Sequence, residues 1–85
     1  MRRALAYSLA LMSAPSFTPD EFRQAQHQLG LSDKQLAAML GIAYADHVRR
    51  MKVAEGKSSH RNVTPTVARL LQAYLDGYRP ADWPA

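Results

Sequence analysis

Apolar side chains recur at three- and four-residue intervals along this chain, and breaks rich in glycine, proline and polar residues separate the runs, so the pattern predicts short amphipathic helices. The first begins at Thr18-Pro19-Asp20-Glu21. Thr18 is a helix cap, Pro19 suits the first helical position and Glu21 closes a capping box. Phe22, Ala25 and Leu29 then make a buried stripe, and Gly30 ends a helix from about Pro19 to Leu29. Ser32 and Gln35 repeat the capping box for a second helix, whose stripe is Leu36, Ala37, Met39 and Leu40 and whose stop is Gly41. After Ile42, the spacing of Tyr44, Val48 and Met51 predicts a third helix over roughly Tyr44 to Ala54 with those three on its core face. Thr64-Pro65 opens a last helix to about Asp76, with Val67, Leu70, Leu71, Tyr74 and Leu75 apolar and Gly77 as terminator. The expected fold is all-α, a compact bundle of four to five short helices.

The polar positions divide these elements by task. Steps of about 100° per residue from the core face of the third helix put Asp46, Arg49, Arg50 and Val53 on its outer side, with His47 and Lys52 flanking. The following segment, GKSSHRN from Gly56 to Asn62, holds no apolar residue to pin it to a core, and is expected to move until something binds it. The last helix is apolar over more than one face, wide enough to cover its own subunit and a second one. Leu71, Tyr74, Leu75, Tyr78 and Trp83 are therefore the expected dimer interface, with Trp83 alternatively a lid on the core.

Charge sharpens the picture. The chain carries a net charge of +4. Between Arg49 and Arg61 five basic residues (Arg49, Arg50, Lys52, Lys57, Arg61) face a single acid, Glu55, so the excess is concentrated there and points to a polyanionic partner. At 85 residues the chain is one small domain for which dimerisation would add burial, and the absence of cysteine suits a reducing cytoplasm.

Leu31, Ser32, Leu36, Ala37, Leu40, Gly41 and Ile42 together resemble the helix and turn of the Cro/XRE-type helix-turn-helix regulators. The segment from Asn62 to Pro84 is similar to the tail of small bacterial and phage regulators of that type, some associated with anti-CRISPR operons, so the resemblance spans about residues 17 to 84. It implies a lambda-repressor-like bundle and a dimeric transcriptional repressor on double-stranded DNA with an inverted repeat, needing no cofactor. Asp46, His47, Arg49, Arg50 and Val53 are then the expected base contacts. Lys34, Gln35, Lys52, Lys57, Ser58 and Arg61 are the expected backbone contacts, Lys34 and Gln35 because Asp33 stands where such helices often carry an amide. One arginine would grip guanine O6 and N7 while the other clamps phosphate. Asp46 is either an acceptor for a cytosine amino group or a helix cap, and Val53 either meets a thymine methyl or is a surface valine.

Residues 1–16, MRRALAYSLALMSAPS, outline a weak signal peptide, but Tyr7 and Ser8 interrupt the apolar run, which leaves an N-terminal arm, an extra helix, or a start at Met12. Residues 17–85 form the binding domain. His27, His47 and His60 lack the spacing of a metal site. No phosphate loop, nucleophile elbow or carboxylate pair suggests an enzyme. The rival from another class is a protein-interaction module, an antitoxin or adaptor that binds through the last helix and the Trp83 tail.

Overall fold

Helix formation starts where the caps place it. The Thr18 hydroxyl accepts from the Glu21 amide at 3.1 Å while the Glu21 carboxylate accepts from the Thr18 amide at 2.9 Å. Ser32 and Gln35 make the same reciprocal pair at 3.1 and 3.0 Å. In the computed structural model, which describes residues 15–84, four helices follow: α1 Pro19–Leu29, α2 Asp33–Leu40, α3 Ala45–Met51 and α4 Pro65–Leu75. The expectation for residues 1–14 lies outside the described residues. Among the described residues there is no strand, and no helix is long and apolar enough to cross a membrane.

Among the described residues the largest fully buried side chains come one from each helix: Phe22 of α1, Leu36 of α2, Val48 of α3 and Leu71 of α4. They meet in one core to which Ala25, Leu31, Ala37, Met39, Leu40, Met51, Val67 and Tyr74 also belong. α2 packs chiefly on α3, and α4 lies against α1 and α2. Such an arrangement makes α4 the cover of the bundle.

That placement corrects two of the expected dimer contacts. Leu71 is at the centre of the core and Tyr74 is only 3% exposed, so neither can meet another subunit. The Tyr74 hydroxyl has a task inside the protomer. The last carbonyls of a helix have no partner within it; those of Ala37 and Ala38 are taken by the amides of Ile42 and Gly41, and the Met39 carbonyl accepts from the Tyr74 hydroxyl. α4 is thereby a cap for α2.

Beyond α4 the chain folds back. The Tyr78 amide donates to the Ala73 carbonyl at 3.0 Å, and the Arg79 guanidinium donates to the carbonyls of Tyr74 and Tyr78 at 2.7 and 2.8 Å. Trp83 packs edge-on against Tyr74 with ring centroids 5.0 Å apart, and the Arg79 guanidinium carbon sits 4.2 Å from the centre of the Trp83 ring. Trp83 is thus a lid on its own core, held by an aromatic contact and a cation–π contact. Leu75 is half-buried against the same cluster, whereas Tyr78 is 55% exposed.

Tyr74→Phe keeps the ring and removes the cap from the Met39 carbonyl. It should cost about 1 to 3 kcal/mol of stability, the usual range for leaving a buried acceptor unpaired. Leu71→Ala should cost about 2 to 5 kcal/mol by opening the core. Urea denaturation followed by circular dichroism measures both.

Candidate nucleic-acid interface

The connection from α2 to α3 is set by one glycine. Gly41 adopts φ +70°, and the paired bonds from Gly41 to Ala38 (3.3 Å) and from Ile42 to Ala37 (2.8 Å) turn the chain sharply out of α2. Ile42 then packs against the core and Tyr44 is extended, with φ −129° and ψ 132°, before the first helical residue. Tyr44 is consequently 66% exposed, which overturns its assignment to the core face. Helical spacing could not place it, because it stands outside the helix. Its ring meets that of His47 edge-on at 5.5 Å.

α3 is shorter than its sequence pattern suggests, ending at Met51 rather than Ala54. Val48 and Met51 face the core as expected. On the other side Arg49 and Arg50 are exposed, with side-chain accessibilities of 61% and 46%, and Asp46 lies between them. Its two carboxylate oxygens are divided: Oδ1 is 3.2 Å from Arg49 Nη2 and Oδ2 is 2.8 Å from Arg50 Nε. The hydrogen bond from Arg49, helped by the charge of Arg50, holds the Asp46 carboxyl below the usual carboxylate range. Asp46 is not a side-chain cap, for α3 has none.

Lys52 does not reach outward. Its ammonium bonds Asp33 Oδ1 at 2.6 Å, the least exposed ion pair among the described residues. Gln26 of α1 donates to the same carboxylate oxygen at 2.8 Å and to the Leu31 carbonyl at 3.1 Å, while Arg23 of α1 donates to the Lys52 carbonyl at 3.0 Å. The end of α3 is therefore tied to the start of α2 and to α1, and Lys52 becomes a strut rather than a backbone contact. Asp33, read only as a departure from a pattern, is its anchor. The same tie sets the first turn of α2, with exposed Lys34 and Gln35, beside the end of α3. Gln35 spends its carbonyl oxygen on the cap.

The loop after α3 is also held. The Arg61 amide donates to the Arg50 carbonyl at 3.2 Å, and the His60 ring bridges the Val53 carbonyl at 2.7 Å and Asn62 Oδ1 at 2.9 Å. The expectation of an untethered loop is corrected: a polar residue pins it where apolar ones are missing. Val53 is half-buried, stands beyond the end of the helix and gives its carbonyl to His60. Lys57, Ser58 and Arg61 are exposed on this loop, next to α3.

No family model matches this chain, and neither a curated protein nor a solved structure does.

The site thus stands on its own geometry. Structure brings together Asp46, Arg49 and Arg50, with His47 beside them and Arg61 joined through its backbone. It separates from them Lys52, which faces inward, and the dimer candidates, which sit on α4 and the tail. Among the described residues no three histidine or acidic side chains converge to hold a metal ion.

Two outcomes test how α3 and its loop are held. The hydrogen bond from Lys52 keeps the Asp33 carboxyl lowered. The stabilisation from a lowered carboxyl is complete above the unfolded value of about 4 and is lost as pH falls through the folded one. Asp33→Asn should therefore cost about 1 kcal/mol at pH 7, the upper end for an ion pair that still meets solvent, and flatten the loss of stability below about pH 4, read from urea midpoints over a pH series. His60→Ala should speed hydrogen exchange at the Arg61 amide relative to core amides, with little change in the global midpoint.

Proposed function

We propose that this chain is a sequence-specific DNA-binding transcriptional regulator of the helix-turn-helix type, as its resemblance to the Cro/XRE regulators implies, with α2 and α3 as the two motif helices. The observation that carries the reading is the two-sidedness of α3. Val48 and Met51 fix it to the core, while Arg49 and Arg50 point away from that core with an exposed basic loop bonded alongside.

An α-helix fits the major groove of B-DNA, which is about 12 Å wide. With α3 there, one of the two arginines grips guanine O6 and N7 and the other takes phosphate, with His47 near the same surface. Lys34, Gln35 through its amide nitrogen, Lys57, Ser58 and Arg61 supply backbone contacts that set register without reading sequence. Lys52 contributes from behind, through Asp33. Two copies on an inverted repeat would place their α3 helices about 34 Å apart. Leu75 and Tyr78 are what remains of the expected dimer face once Leu71, Tyr74 and Trp83 are committed to the core and its lid. Repression follows from occupying a promoter and requires no ligand.

Fluorescence anisotropy of the protein with the DNA upstream of its gene and with a scrambled duplex, over a salt series, tests this. Selective binding that weakens steeply with salt is expected, because each neutralised phosphate releases counterion. Arg49→Ala or Arg50→Ala should cost about 1 to 3 kcal/mol and relax selectivity at one position if that residue reads a base, and weaken all duplexes uniformly if it grips phosphate. Equal, weak binding of both duplexes by the unaltered protein rejects the reading and leaves exposed Tyr78 as the place to seek a protein contact.

A further inference from the structure

Asp46 is an acid set in the middle of a surface whose other charges suit a polyanion. It is half-exposed and makes no side-chain cap, and its pairs with Arg49 and Arg50 within the helix add only weakly to stability. Both its oxygens are occupied by the two outward arginines. In the unbound protein the three side chains therefore form a closed fork whose net charge is that of a single cation.

The fork has a consequence for any duplex brought against α3. An arginine that turns to guanine or phosphate gives up all or part of its bond to Asp46. The carboxylate is then an anion in a groove walled by phosphates, and an ionised acceptor left without a donor is costly. Only a base edge carrying an exocyclic amino group can supply that donor in the major groove: N4 of cytosine or N6 of adenine. Guanine and thymine offer acceptors at the corresponding edge and repel it.

We infer that Asp46 is the discriminating residue of this interface, its carboxylate admitting a duplex in which an amino-bearing base lies next to the guanine taken by Arg49 or Arg50 on that guanine's own strand, and rejecting one in which the amino group of that pair lies on the opposite strand. The inference rests on the proposed DNA reading and specifies the ligand: a guanine with a neighbouring cytosine or adenine amino group. Discrimination here comes from a penalty on wrong sequences as much as from attraction to the right one. Removing the carboxylate frees both arginines for phosphate and makes the surface more positive, so binding to arbitrary DNA should strengthen.

The test begins with a duplex selected by the unaltered protein from a randomised library, paired with its scrambled counterpart. Asp46→Ala and Asp46→Asn are compared with the unaltered protein on both duplexes by anisotropy, with circular dichroism to confirm the fold. Asp46→Asn keeps the shape and removes the charge. Both variants should bind the scrambled duplex several-fold more tightly, and the ratio of selected to scrambled affinity should fall by about tenfold, the scale of one base contact. Replacing the amino-bearing base next to the guanine by guanine or thymine should weaken the unaltered protein and leave Asp46→Ala indifferent. Whether the sensitive base is cytosine or adenine identifies the amino group. An unchanged ratio, or an unchanged affinity for the scrambled duplex, overturns the inference. Failure of the unaltered protein to enrich any sequence is a different result, which removes the DNA reading itself.

Discussion

Seven residues are too few to stay helical in water on their own hydrogen bonds, since helices shorter than about 12 residues are marginal even with favourable sequences. α3 has that length and lacks a side-chain cap at its start. Its persistence is therefore imposed from outside. Val48 and Met51 anchor one side in the core, Lys52 ties the end to Asp33, Arg23 holds the Lys52 carbonyl, and His60 and the Arg61 amide take carbonyls of Val53 and Arg50. The remaining helices can be seen as the means of supplying these contacts. α1 provides Gln26 and Arg23, α2 provides Asp33, and α4 closes the apolar core beneath them.

The polar groups follow a similar economy. Among the described residues, no buried side-chain nitrogen or oxygen is left without a partner. Acids are placed against bases: Asp33 on Lys52, Asp46 on Arg49 and Arg50, Asp20 on Arg23 at 2.9 Å. The exposed pairs among them, those of Asp46 and Asp20, add little stability, about 0 to 1 kcal/mol each. Their effect is on geometry and field. The net charge of +4 is consequently a poor guide to what a partner meets, because Lys52 is neutralised within the fold and the α3 arginines share one carboxylate.

Local signals in the amino-acid sequence were legible where the chemistry is local. Both capping boxes, the stops at Gly30 and Gly41 and the bounds of α1 and α2 depend on residues three or four apart, and the structure has them as the sequence implies. The errors concern long-range choices. Tyr44 stands at helical spacing from Val48, but a residue in extended conformation before a helix does not obey that spacing. The sequence offers Leu71 and Tyr74 to a second subunit because α4 is apolar around much of its girth. Which part of that girth a small bundle consumes depends on how many neighbours it has, and α1, α2 and the returning tail consume most of it. Lys52 and His60 carried no local sign of their roles. Lys52 is separated from its partner by 19 residues, and the ring of His60 bridges both ways along a loop whose composition suggests freedom.

What the fold leaves over is as informative as what it uses. The contacts that fasten α3 to the rest of the fold come from its inner side, its carbonyls or the residues just after it, and Asp46, Arg49 and Arg50 add only their own pairs within the helix, about 0.2 to 0.5 kcal/mol each. Residues with so small a share can be changed without unfolding the protein. A face released in this way can be shaped by a ligand alone. The arginines there are long, flexible donors, and a single carboxylate between them holds both in one arrangement before any partner arrives. Preorganisation of that kind lowers the ordering cost of binding. The same carboxylate makes the arrangement conditional, because it must be given a donor of its own once the arginines turn away.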